Sequence, residues 1–158
     1  VVNRVTLHFS NTYVNNSTGL HKFVDTDKEV YLYTHLEPFY CHRWFPCFDQ
    51  PSIRAPLTMT VLSPDPNWHV ICNEVQRDQN GISSEEGSRI VKELGIEDFA
   101  QRQAETGGNG NIHRFNESPP ISTCSCGLFA GNYHVCEPLN ASASDIPMKI
   151  YVRKSKIE

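Results

Sequence analysis

The sequence predicts a mainly β protein, an antiparallel sandwich or barrel-like sheet with a short helical insertion. Three observations carry that expectation. Apolar residues recur with period two, clusters of turn-forming residues separate these runs, and a single segment switches to helical spacing. Val5, Leu7 and Phe9 alternate with Thr6 and His8. Leu57, Met59 and Val61 alternate with Thr58 and Thr60, and Met148, Ile150 and Val152 alternate with Lys149 and Tyr151. Successive side chains of a strand point to opposite faces, so each run reads as a half-buried strand. "VYLYTHLE", Trp68 to Cys72 and Ile121 to Phe129 add further strands, punctuated by "NNSTG", "SPDPN" and "NESPP". Short strands at this spacing favour antiparallel pairing.

The exception runs from Ser83. Ser83 and Glu86 stand in capping-box spacing, and Ile90, Leu94 and Phe99 follow at helical intervals. Gly87 and Gly95 weaken the pattern and "TGGNGN" ends it. The segment predicts one or two short helices in a surface insertion, followed by a mobile loop that proteases would cut first near "AETGGNGN".

With 158 residues the chain is one domain in length, and 39% hydrophobic against 20% charged residues fits a folded protein. Fourteen basic and 18 acidic residues give a net charge of -4, with no Lys/Arg cluster, which argues against a nucleic-acid partner. No apolar run approaches a membrane span and no signal peptide opens the chain, so a cytoplasmic location is expected. The start at Val1 without methionine reads as an excised fragment. Four N-x-S/T sequons begin at Asn15, Asn16, Asn116 and Asn140, which leaves secretion as the alternative.

Two residue sets could ligate a metal. Cys124, Cys126, His134 and Cys136 would offer three sulfurs and an imidazole if their strands paired, since residues i and i+2 share a face. Cysteine on a strand also serves as a small buried hydrophobe, and that reading is favoured. Cys41, His42, Cys47 and Asp49 stand in a proline-marked, irregular turn. No G-x-S-x-G, phosphate-binding glycine loop or H-E-x-x-H occurs. Glu37 differs from these. It closes a strand-like run directly before Pro38, where it suits recognition of a cation or is an ordinary exposed turn glutamate.

The stretch from Tyr31 to Glu74 resembles the N-terminal domain of the aminopeptidase N family of zinc exopeptidases, the puromycin-sensitive aminopeptidase-like enzymes. Thr34, Glu37, Pro38, Arg43, Phe45, Pro46, Cys47, Phe48, Asp49, Pro51 and Ala55 fall in the family register without a gap. A second motif is matched by Pro119, Pro120, Ser122, Thr123, Ala130, Gly131 and Tyr133. The likeness runs from Val5 to Arg153 and skips an insertion at about 76–112. His35 and Gln50 replace the usual Gln and Glu, and His42 stands where Arg is usual, leaving an ion pair with Asp49 unsupported.

The resemblance implies a saddle-like antiparallel β-sheet sandwich, with residues 1–158 forming part of an N-terminal β domain whose earliest strands precede Val1. It implies a parent that removes N-terminal amino acids from peptides, with zinc held by a catalytic domain of the same chain. This fragment would carry no catalytic residue and no metal ligand, and would be inactive alone. Its substrate-binding residue is Glu37, which with a Glu of the catalytic domain would hold the free α-ammonium of a peptide. The turn after it is expected to be anchored by Phe39, Trp44, Phe45 and Phe48, with a cis Glu37–Pro38 bond. The alternatives are a non-catalytic β-sandwich binding module and a small zinc-stapled β protein.

Overall fold

A computed structural model describes residues 3–98, 101, 110–136 and 148–157. Its strands in chain order are β1 (Gly19–Val24), β2 (Val30–His35), β3 (Arg54–Ala55), β4 (Thr60–Ser63), β5 (His69–Cys72), β6 (Gln76–Gly81), β7 (Asn111–Phe115), β8 (Ile121–Ser122), β9 (Leu128–Gly131), β10 (Tyr133–Cys136) and β11 (Ile150–Arg153). A helix, α1 (Glu85–Leu94), follows β6, and Glu97, Asp98 and Gln101 beyond it are helical as well. The strands form a four-stranded sheet in the order β1-β2-β9-β5, a three-stranded sheet β4-β7-β6, and the pairs β3-β8 and β10-β11. Every strand ladder is antiparallel, as the sequence predicts.

The main core fills the space between the two larger sheets. Leu32 of β2, Val70 of β5 and Leu128 and Ala130 of β9 meet Phe115 of β7, with Met59 and Val61 packed against them. The ladder between β4 and β7 is extended by backbone bonds from Phe115 N to Met59 O and from Ser118 N to Leu57 O. The other face of the four-stranded sheet is covered too. Tyr31, beside Leu32 on β2, is buried against Tyr133 of β10 with ring centroids 4.9 Å apart. Two consecutive buried residues on β2 are the signature of a strand enclosed on both faces. Asp25, just past β1, accepts from Arg153 Nη1 at 3.0 Å and Ser155 Oγ at 2.7 Å, joining the early hairpin to the segment after β11.

Four expectations need correction. Val5, Leu7 and Phe9 form no strand: they are 78%, 62% and 56% exposed. Alternation marks a preferred face, but a strand also needs a neighbour for its backbone N–H and C=O groups, and no described strand runs beside this segment. The run Ile121 to Phe129 is two strands, because a 3-10 turn at Thr123–Ser125 separates β8 from β9. The 76–112 segment begins with a six-residue strand: β6 pairs with β7 through Asp78 and Arg114, whose side chains form a two-pronged ion pair at 2.8 and 2.9 Å. Finally, α1 is capped by Ser84 rather than Ser83, with Ser84 Oγ accepting from Gly87 N at 3.0 Å.

The glycines that weaken α1 in sequence serve it in the fold. A Cβ on Gly87 would lie 2.1 Å from the carbonyl oxygen of Gly81, so only glycine lets the helix approach β6 this closely. Gly95 takes the left-handed conformation (φ 66) that ends the helix, and its N–H returns to Lys92 O. Ile90 and Val91 of α1 are buried with Ile82 and Ile112 in a second core of their own. Residues 104–109 of the expected mobile loop and cleavage stretch and the Asn140 sequon lie outside the described residues, while Asn111, at the end of that stretch, opens β7. Among the described residues no helix is long and apolar enough to cross a membrane.

Candidate functional site

The turn after β2 is pinned at both ends. Leu36 and Cys41 are buried, in one cluster with Cys126 and with Trp44, Phe45, Leu57 and Ile121 packed around them. Between them the chain reverses sharply: Tyr40 N donates to Leu36 O at 2.7 Å, and Trp44 and Phe45 N both donate to Cys41 O. Glu37 sits in this reversal with Leu36 held inward immediately before it. Its side chain is exposed and makes no hydrogen bond or ion pair with any described residue. The Glu37–Pro38 peptide bond is cis, as expected from the sequence.

The aromatic anchors are fewer than expected. Trp44 and Phe45 pack into the cores and meet edge-to-face at 5.1 Å. Phe39 and Phe48 are 54% and 83% exposed. Pro38 and Phe39 lie at the turn's outer edge, so the inward positions fall to Leu36 and Cys41 instead.

A polar clasp holds the second half of the stretch. Asp49 accepts from the His42 backbone N at 3.0 Å, faces His42 Nδ1 at 2.8 Å, and accepts from Thr123 Oγ1 at 3.1 Å. Burial raises the Asp49 carboxyl, but these bonds outweigh it and hold it below the usual carboxylate range. The pair that the sequence left unsupported therefore forms, with His42 in place of Arg. Thr123 belongs to the second motif, so the clasp joins the two matched motifs across 74 residues. Arg43 turns outward, donating to Thr18 Oγ1 at 2.7 Å and stacking over Tyr40. His35, in the place of the usual Gln, reaches Ser17 O through Nδ1 at 2.6 Å.

The proposed sulfur ligands do not assemble. Cys126 is buried against Cys41, Cys124 Sγ faces Ser122 Oγ at 3.2 Å, and His134 and Cys136 lie on the β10-β11 pair. Among the described residues no group of three or more His, Cys, Asp or Glu side chains could hold a metal ion.

One polar cluster escaped sequence reasoning. His113 of β7 is fully buried, with Nε2 3.1 Å from Ser63 Oγ and Nδ1 3.4 Å from Gln76 Oε1. Burial, with the nearby His69 adding to it, pushes the imidazole down to about 4. The neutral ring bridges Ser63 and Gln76, donating at one nitrogen and accepting at the other, and so braces β4, β7 and β6. Ser63 is likewise buried, so this serine and histidine are a structural brace.

Comparison with known proteins fixes the family. The family described as Peptidase M1 N-terminal domain matches residues 2–92, more than half of the chain. The chain belongs to that family. It is 29% identical over 148 residues to "Aminopeptidase N" of Streptomyces lividans, covering 92% of this chain and 14% of that protein. It is 42% identical over 57 residues to "Probable M1 family aminopeptidase 1" of Encephalitozoon cuniculi (strain GB-M1), covering 36% of this chain and 6% of that one. The chain thus spans a small part of the length of the curated relatives that it matches. The matched region includes β1 to β6, the turn that bears Glu37 and the first half of the clasp.

Proposed function

We propose that this M1 domain is the amine-anchoring part of a zinc aminopeptidase, with Glu37 as the residue that holds the substrate. The observation that carries the reading is an exposed carboxylate, free of partners among the described residues, on a turn whose flanks are buried. An anion already paired would have to give up that partner before binding an ammonium. An unpaired one is ready to accept two or three charge-assisted N–H bonds. Because Leu36 and Cys41 fix the turn, little further entropy is lost when the carboxylate is held in place. A fixed α-amine sets the distance to the first peptide bond, and release of single N-terminal residues follows from that geometry.

Among the described residues no group fits a zinc site, and no step here runs through a metal on them. In the proposal the zinc, the general base and the reacting water belong to a catalytic domain of the same protein. This domain caps it, and peptides with a free N-terminus are the substrates. The test is an assay of the full-length protein on an aminoacyl amide and on its N-acetylated counterpart. Release of the first residue from the free-amine substrate alone is expected. Equal cleavage of both would remove the amine anchor from the account.

A further inference from the structure

Cys41 and Cys47 of one loop meet Cys126 from far along the chain beneath the site. Cys41 is fully buried after the Glu37 turn, Cys47 lies on the following loop, and Cys126 opens the approach to β9. All three are free thiols, and Cys41 and Cys126 are buried members of one cluster against which Cys47 packs. Cys47 and Cys126 also line an apolar pocket of about 240 Å³, walled by Phe45, Leu57, Ile121 and Thr123. Cys124 is turned to Ser122 and Cys72 to the Glu74 carbonyl, while Cys136 lies on β10. The arrangement therefore places two clustered thiols at a pocket, with Cys126 on its wall and Cys41 enclosed behind.

The two thiols are unequal. The hydrogen bond from Cys41 lowers Cys126, whose own contact to Ser122 O is long at 3.9 Å. The same bond, together with burial, raises Cys41. Burial raises Cys47 as well, and the Asp49 charge adds to this. Cys126 lines the pocket and shares a buried cluster with Cys41, so it is the sulfur placed between an incoming small molecule and the enclosed Cys41 thiol.

We propose that this pocket is an oxidation site for a small peroxide, at which Cys126 and Cys41 close a disulfide between the Glu37-bearing turn and the β8–β9 connection. The Cys126 thiolate attacks one peroxide oxygen: an S–O bond forms, the O–O bond breaks, and the departing oxygen takes a proton. The Cys41 sulfur then attacks Cys126 Sγ, forming the S–S bond and breaking the S–O bond. Hydroxide leaves and becomes water with the Cys41 proton. Two thiols are oxidised, and one hydrogen peroxide is reduced to two waters.

The test treats the purified native protein with hydrogen peroxide, alkylates the remaining thiols and maps tryptic peptides without reduction. Cleavage after Arg43 separates Cys41 from Cys47, and fragment spectra separate Cys126 from Cys124. The expected product is a Cys41–Cys126 cross-link lighter by two hydrogens and reversed by a dithiol reductant, with Cys72, Cys124 and Cys136 still alkylated. In Cys41→Ser, dimedone should trap a sulfenic acid on Cys126. The wild-type map decides the question even if that variant fails to fold. A cross-link through any other pair, peroxide treatment that leaves Cys41 and Cys126 fully alkylatable, or dimedone on Cys47 in place of Cys126 would overturn the proposal.

Discussion

Gly87 shows how a single residue can reverse a propensity argument. On helix propensity alone, Gly87→Ala would stabilise α1 by about 1 kcal/mol. The added methyl would instead meet the Gly81 and Ile82 carbonyl oxygens, at 2.1 and 2.8 Å, and backbone cannot swing aside as a side-chain end can. Gly87→Ala is therefore expected to destabilise the protein by roughly 1–3 kcal/mol, read as a lower urea midpoint at unchanged slope. A raised midpoint would mean that α1 does not press on β6 as described. The exposed turn position of Glu37 was legible at this scale because a carboxylate before proline is conspicuous in one dimension. The buried Cys41–Cys126 contact was not, since nothing in sequence marks which cysteines meet when they stand so far apart along the chain.

At the scale of elements, α1 tests its own register. Ser84 accepts the Gly87 N–H, while Ser83 is exposed and lies outside the cap. Ser84→Ala should cost about 1 kcal/mol, and Ser83→Ala should stay within about 0.5 kcal/mol of wild type. The reverse order would restore the Ser83–Glu86 capping box. β4 and β11 were legible because their apolar alternation coincides with pairing, and β2 and β5 because they are short apolar runs bounded by turn residues. β6 was not: "QRDQNG" has no apolar side chain, and it is held by ladder bonds and the Asp78–Arg114 pair, which hydrophobic patterning cannot detect. The segment around Val5 to Phe9 fails in the opposite sense, having the pattern without a paired neighbour. In the turn 36–49 two of the expected anchors, Trp44 and Phe45, pack inward, but Phe39 and Phe48 were misassigned. Leu36 and Cys41 look unremarkable beside four aromatic residues, and only the chain reversal reveals which side chains face inward.

Across the whole molecule, the His113 brace ties stability to pH. Its imidazole is pushed down to about 4 in the fold from an ordinary 6.5, so the folded state binds fewer protons between those values. That stabilisation is fully present above 6.5 and is lost as pH falls from 6.5 toward 4. Between about pH 7.5 and about pH 5, wild type should lose about 2 kcal/mol of unfolding free energy through this group. His113→Gln should lack that part of the slope. Identical slopes would show that the ring is not held neutral by burial. The functional claim rests on the same organisation: two packed sheets hold a turn still, and the turn presents one carboxylate. The most direct measurement is kcat/KM of the full-length protein on an aminoacyl amide, for wild type and Glu37→Ala, with thermal unfolding followed in parallel. Loss of one charge-assisted contact should lower kcat/KM by roughly 10- to 100-fold, while the exposed side chain leaves Tm unchanged. Unaltered kcat/KM, or a loss matched by unfolding, would contradict Glu37 as the amine anchor.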